Sequence, residues 1–119
     1  MESLYQEFIV FLLLESDNVN FTIMIMQKDI AEKIKALKPV LSAKYYVDKI
    51  GYFGSFARNE QTDTSDIDII VSFSKPLGWA FFDLQELLEK ELNRKVDIVS
   101  VSALKEQLRE TILNEVKFV

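Results

Sequence analysis

The chain contains no cysteine and no histidine. These two absences exclude a disulfide framework, a Cys/His zinc site, a thiol nucleophile and a Ser-His-Asp triad. Any catalysis has to rest on carboxylates, hydroxyls, Lys or Arg, or on a metal held by oxygen ligands, for which hard divalent cations such as Mg²⁺ are the natural partners. Glycine and proline are scarce, at three and two residues, and no linker, internal repeat or low-complexity tract is visible. A long hydrophobic run is lacking too. Residues 8–14, Phe-Ile-Val-Phe-Leu-Leu-Leu, end at Glu15, short of the roughly 20 apolar residues that span a bilayer. Glu2 and Glu7 precede that run and Ser16-Asp17-Asn18 follow it, where a signal peptide would want a basic region and a small-residue cleavage site. The expectation is a protein without membrane association, with the cytoplasm as the default location.

What is present suits one globular domain. The 119 residues are 49% apolar and 28% charged, enough to bury an ordinary core. The net charge of −5 speaks against a protein that grips nucleic acid by neutralising phosphates. Residues 1–27 carry Glu2, Glu7, Glu15 and Asp17 with no base, whereas residues 28–119 hold 14 basic against 15 acidic residues. The acidity is mostly N-terminal.

Hydrophobic spacing predicts a helix over 3–14 and a strand over 19–25, where Val19, Phe21, Ile23 and Ile25 alternate with Asn20, Thr22 and Met24. A second helix from about Lys28 carries the stripe Ile30, Ile34, Leu37 and Leu41, with Pro39 placed to kink or end it. There follow a strand over 47–53, a helical turn over 56–60, a polar loop over 61–65 and a strand over 66–73. A helix over 79–93 buries Phe81, Leu84, Leu87, Leu88 and Leu92. A strand over 96–101 leads to a last helix over 103–116, capped by Ser102. The fold class expected is α/β (α+β), a small mixed sheet flanked by helices with an α-β-α-β-α-β-α core over residues 28–119. Residues 1–27 read as an apolar and acidic extension, a helix plus strand covering a sheet edge or a partner surface. Alternatively the native start lies near Met24 or Met26. An apolar N-terminus on a small domain is also compatible with homo-oligomers.

The informative stretch is Gly54-Ser55-Phe56-Ala57-Arg58-Asn59-Glu60, then five residues, then Asp66-Ile67-Asp68. A Gly-Ser corner between a strand and a helical turn lets backbone approach a phosphate and aims N–H groups at it, with the Ser hydroxyl as a further donor. Asp66 and Asp68, two apart on a strand, share a face, and two carboxylates there can bid for Mg²⁺ that bridges to phosphate oxygens. Asp97, inside the apolar run Val96-Asp97-Ile98-Val99, is a third acid that is costly to bury unless it is paired or ligates a metal. With Asp97 beside them, the three acids could hold two metals for in-line nucleotidyl transfer. Alone, each piece has an ordinary reading: a Gly-Ser corner is a turn, an Asp-x-Asp a solvated strand edge, Asp97 a polar residue at a strand end and Arg58 a surface ion pair. Their conjunction, each at the matching strand or turn position, favours the functional reading. Arg58, Lys44 and Lys75 are candidates for positioning a triphosphate, and only Arg58 lies within the motif.

This pattern resembles the signature of the polymerase-β-type nucleotidyltransferase superfamily. Phe53-Gly-Ser-Phe-Ala-Arg-Asn-Glu, Ser65-Asp-Ile-Asp-Ile-Ile-Val and the closing stretch Ala103–Val116 are most similar to the minimal nucleotidyltransferases, and the resemblance covers about residues 28–119. It implies a polymerase-β-like nucleotidyltransferase fold, with Gly54 and Ser55 binding ATP or another nucleoside triphosphate. Asp66 and Asp68 would be Mg²⁺ ligands, and Asp97 a third metal carboxylate that helps deprotonate the acceptor hydroxyl. Asn59 stands where the family usually has Gly, and Asn tolerates the left-handed conformation. Only 22 residues follow Asp97, too few for an acceptor-binding domain, so the acceptor is expected from another chain. Minimal nucleotidyltransferases are commonly paired with a small helical HEPN protein, and some act as antitoxins that adenylylate it on tyrosine. The alternatives are a non-catalytic module that neutralises its partner by binding, or nucleotidyl transfer to a small molecule or RNA.

Overall fold

A computed structural model describes residues 6–7, 19–62 and 64–119. The helix expected over 3–14 lies outside the described residues apart from Gln6 and Glu7, which are helical. Helix α1 runs from Val19 to Tyr45, so the strand expected over 19–25 is not formed. Seven alternating residues fit either period, and extending an existing helix fixes one residue per hydrogen bond gained, whereas a strand needs a sheet edge to pair with. Ile30, Ile34, Leu41 and Tyr45 are buried on one stripe, with Leu37 packed against it. Pro39 does not end the helix. It removes the hydrogen bond to the Lys35 carbonyl on an exposed stretch, where water can take that carbonyl. The chain leaves α1 at Tyr46, in the left-handed conformation with φ 54°.

Four strands follow: β1 (Val47–Phe53), β2 (Ile67–Phe73), β3 (Val96–Ser100) and β4 (Lys117–Phe118), in sheet order β3-β2-β1-β4. β1 is antiparallel to both its neighbours and β2 is parallel to β3, so the sheet is mixed. Helix α2 (Ala80–Leu92) makes the crossover that parallel strands require, and helix α3 (Glu106–Glu115) precedes β4. Ile67, Ile69 and Val71 face α1 and α2 in one core with Ile50, Leu84, Leu88 and Leu92. Ile70, on the opposite face, is also fully buried, as befits a central strand.

Several boundaries differ from the sequence reading. The helical turn expected over 56–60 is a 3-10 turn, Gly54–Phe56. Phe81 and Leu87 are half-buried. The last helix starts at Glu106, after a second 3-10 turn (Val101–Ala103), and Lys105 stands at its N-cap with no side-chain cap. Ser102 instead shares a 2.9 Å hydrogen bond with the Ser100 hydroxyl. β4 went unforeseen because two residues carry no period. Its approach depends on Gly51: a Cβ there would lie 2.8 Å from both the Lys117 carbonyl oxygen and Val116 Cγ1. Among the described residues no helix is long and apolar enough to cross a membrane.

Candidate active site

At the end of β1 the chain turns at Gly54, φ +70°. The Ala57 and Arg58 N–H groups both donate to the Gly54 carbonyl, at 3.0 and 3.1 Å, and Glu60 N–H donates to that of Ser55 at 2.9 Å. Asn59 closes the turn at φ 60°, the left-handed conformation expected of it. Gln27, buried on α1, donates from Nε2 to the Phe56 carbonyl and to Asn59 Oδ1, and its Oε1 accepts from Lys117 Nζ at 3.3 Å. Phe56 is fully buried beneath the Arg94 guanidinium, 5.3 Å from its ring centre. The corner is thus fixed from below. Ser55 is half-buried, and neither its N–H nor its hydroxyl has a partner among the described residues.

Asp68 meets this corner directly. A Cβ on Gly54 would fall 2.1 Å from Asp68 Oδ2, so glycine is required there both by backbone conformation and by contact. Asp68 points away from the core face of β2, and in register it sits between Phe53 on β1 and Asp97 on β3. Burial pushes its carboxyl above the usual range, and the nearby charges of Asp97 and Asp66 push it further, against a lowering by Arg58. Asp66 lies just before β2 and is exposed. Asp97 is exposed as well, so the burial cost expected for it does not arise: β3 is an edge strand, open on that face.

The motif acids therefore gather at the sheet end that carries the Gly54 corner, but among the described residues no three carboxylates converge into a ready-made metal cage. Mg²⁺ does not need one, since it commonly takes one or two carboxylates and completes its shell with water and substrate phosphates. The donor set fits such an ion, because Asp68 is a half-buried carboxylate under repulsion from Asp97, Asp66 and, more weakly, Glu115, which a divalent cation would relieve.

Arg58 is exposed and engaged with acids. Its Nε donates to Glu60 at 3.2 Å and its Nη1 to both oxygens of Glu115 at 3.2 Å, and Glu60 first, then Glu115, hold its proton more firmly than usual. Glu115 also accepts from Gly54 N–H at 2.8 Å. Sequence reasoning missed Glu115, which stands 61 residues from Gly54. The one available signal was its place at the C-terminus of a helix, where a negative charge opposes the macrodipole. Lys44 and Lys75 are not at the site. They stack on Tyr45 and Tyr46 at the end of the sheet where Val47 pairs with Phe73, about 17 Å of strand from Asp68. A cavity of about 450 Å³ at that far end is lined by residues including Ser72, Lys75, Ser100 and Arg109. A cavity of about 330 Å³ beside Asp66 is lined by Thr64, Ser65, Asn93, Arg94 and Lys95.

Residues 35–119 match the family model for polymerase beta nucleotidyltransferases. The chain is 38% identical over 97 residues to protein adenylyltransferase MntA of Thermococcus cleftensis, an overlap of 81% of this chain and 98% of that protein. Among solved structures it resembles a minimal nucleotidyltransferase, with TM-score 0.64 and 32% identity over 77% of this chain and 93% of the other. It also resembles a toxin–antitoxin structure with AMP-PNP, with TM-score 0.60 and 26% identity over 72% of this chain and 70% of the other.

Proposed function

For this chain, which belongs to the polymerase beta nucleotidyltransferase family, we propose the transfer of AMP from ATP to a hydroxyl of a small helical HEPN-type partner, with this chain as the antitoxin of the pair. The observation that carries the reading is the contact of Gly54 with Asp68, which joins the acidic strand to a corner whose Ser55 N–H and hydroxyl have no partner among the described residues. The adenylyltransferase name of a relative that the chain covers almost completely, and the AMP-PNP in a toxin–antitoxin neighbour, support the choice of nucleotide and partner. The cytoplasm, where ATP and Mg²⁺ are supplied, suits the reaction.

In this reading the Ser55 N–H and hydroxyl hold phosphate oxygens of the triphosphate. Asp66 and Asp68, with Asp97 across from Asp68 on β3, would hold Mg²⁺. When bound, Mg²⁺ supplies charge stabilisation to the phosphates. The acceptor oxygen forms a bond to the α-phosphorus as the bond from that phosphorus to the bridging oxygen breaks. Pyrophosphate leaves with the electron pair, and the acceptor proton passes to the exposed Asp97.

The test incubates the protein with each of the four α-³²P nucleoside triphosphates, Mg²⁺ and a lysate of the source cells, comparing wild type with D66N/D68N. Label on one small protein, with wild type alone, is the expected result. Label on RNA or a small molecule would move the acceptor. No label, with a partner still co-purifying, would leave a binding module instead of an enzyme.

A further inference from the structure

The Gly54 corner is not completed by its own motif. The Gly54 N–H carries a single hydrogen, and that hydrogen is committed to Glu115 Oε1 at 2.8 Å. The same carboxylate holds Arg58 Nη1 through both oxygens at 3.2 Å. Glu115 is the last residue of α3. The pairing of β4 with Gly51 and Tyr52 of β1 brings it back beside the corner. At a helix C-terminus a carboxylate is unfavourable, and here the Gly54 N–H and the guanidinium offset that cost.

We infer that Glu115 is a positioning residue of the nucleotide site, which fixes the Gly54 N–H and the Arg58 guanidinium and leaves Ser55 to supply the donors that meet a triphosphate. The inference rests on the nucleotidyltransferase reading and deepens it: Arg58 becomes a tie between the corner and the C-terminal segment, in place of the phosphate ligand that the motif alone suggested. The work of Glu115 is acceptance of hydrogen bonds, so what it needs is an oxygen at the right reach, not a negative charge.

That distinction sets the test. Glu115→Gln keeps the accepting oxygen and loses the charge. Glu115→Asp keeps the charge and loses the reach. Glu115→Ala loses both. The readouts are the affinity for AMP-PNP with Mg²⁺, the KM for ATP, and the hydrogen-exchange protection of the Gly54 amide by NMR. The inference expects Gln within about threefold of wild type, and Ala and Asp weakened roughly 10- to 100-fold with the Gly54 amide unprotected, the size of a buried donor left without an acceptor. Should Ala fail to fold, the order of Gln and Asp still decides. Asp near wild type with Gln weakened would overturn the inference in favour of a charge-based role such as metal ligation. Tighter nucleotide binding in Gln or Ala would overturn it as well, making Glu115 a competitor for the phosphate position. A folded Ala variant with an exposed Gly54 amide but unchanged affinity and KM would reduce Glu115 to a structural tie. A wild type that binds no nucleotide would sink the transferase reading, and this inference with it, so the two failures are told apart by the wild type alone.

Discussion

Asp68 shows how one residue is set by its surroundings. Burial comes first, and the charges of Asp97 and Asp66 come next, in holding its proton above the ordinary carboxylate range. The folded protein therefore binds this proton more tightly than the unfolded chain does, and the penalty of ionising it is felt as pH rises through the folded value. Without added metal, Asp68→Asn should raise the melting temperature at pH 7 by a few degrees. The gain should fade as pH falls toward about 4, the ordinary aspartate value. Thermal melts of both proteins across that range check it, and a gain that does not change with pH would rule out the electrostatic cause. Gly54, Asp66 and Asp68 could be placed from single residues because the local backbone sets their positions: a left-handed corner asks for glycine, and strand parity puts the two acids on one side. Glu115 carried no comparable local demand.

Among the elements, β4 is the smallest and the most consequential. Two residues long, it is held by pairing at Gly51 and Tyr52, by Val119 N–H on the Ile50 carbonyl at 2.9 Å, and by Lys38 Nζ on the Val119 carbonyl at 2.8 Å. Gly51→Ala would force a Cβ into the Lys117 carbonyl and Val116 Cγ1, so β4 has to move. The expected cost is about 1–3 kcal/mol in denaturant unfolding, the usual range for overpacking. Protection of the Val119 amide should fall, and that of Gly54 with it as Glu115 retreats. An unchanged Gly54 amide would mean that α3 holds Glu115 in place without β4. The long periodic helices were readable in sequence, whereas β4 and the second 3-10 turn were not, and the first 3-10 turn was expected two residues too late, because two or three residues show no period. The same shortness misled at 19–25, where an alternating run was absorbed into α1.

At the scale of the molecule, α1, α2 and one sheet face share a single core, and the acid site hangs on the other face of the same strands. Leu84, fully buried, links α2 to that core. Leu84→Ala should cost about 2–5 kcal/mol in one unfolding transition with an unchanged m-value, and separate transitions for helix and sheet would refute a shared core. The sequence by itself determined the fold class, the Gly-Ser corner and the Asp-x-Asp pair, because hydrophobic period and strand parity are properties of neighbouring residues. Only the tertiary structure decided which distant groups meet them. The sheet order set Asp97 beside Asp68, sent Lys44 and Lys75 to the far end, and brought Glu115 to Gly54 across 61 residues. Such meetings depend on register and strand order, which are fixed when the whole core packs and not by any local stretch of chain.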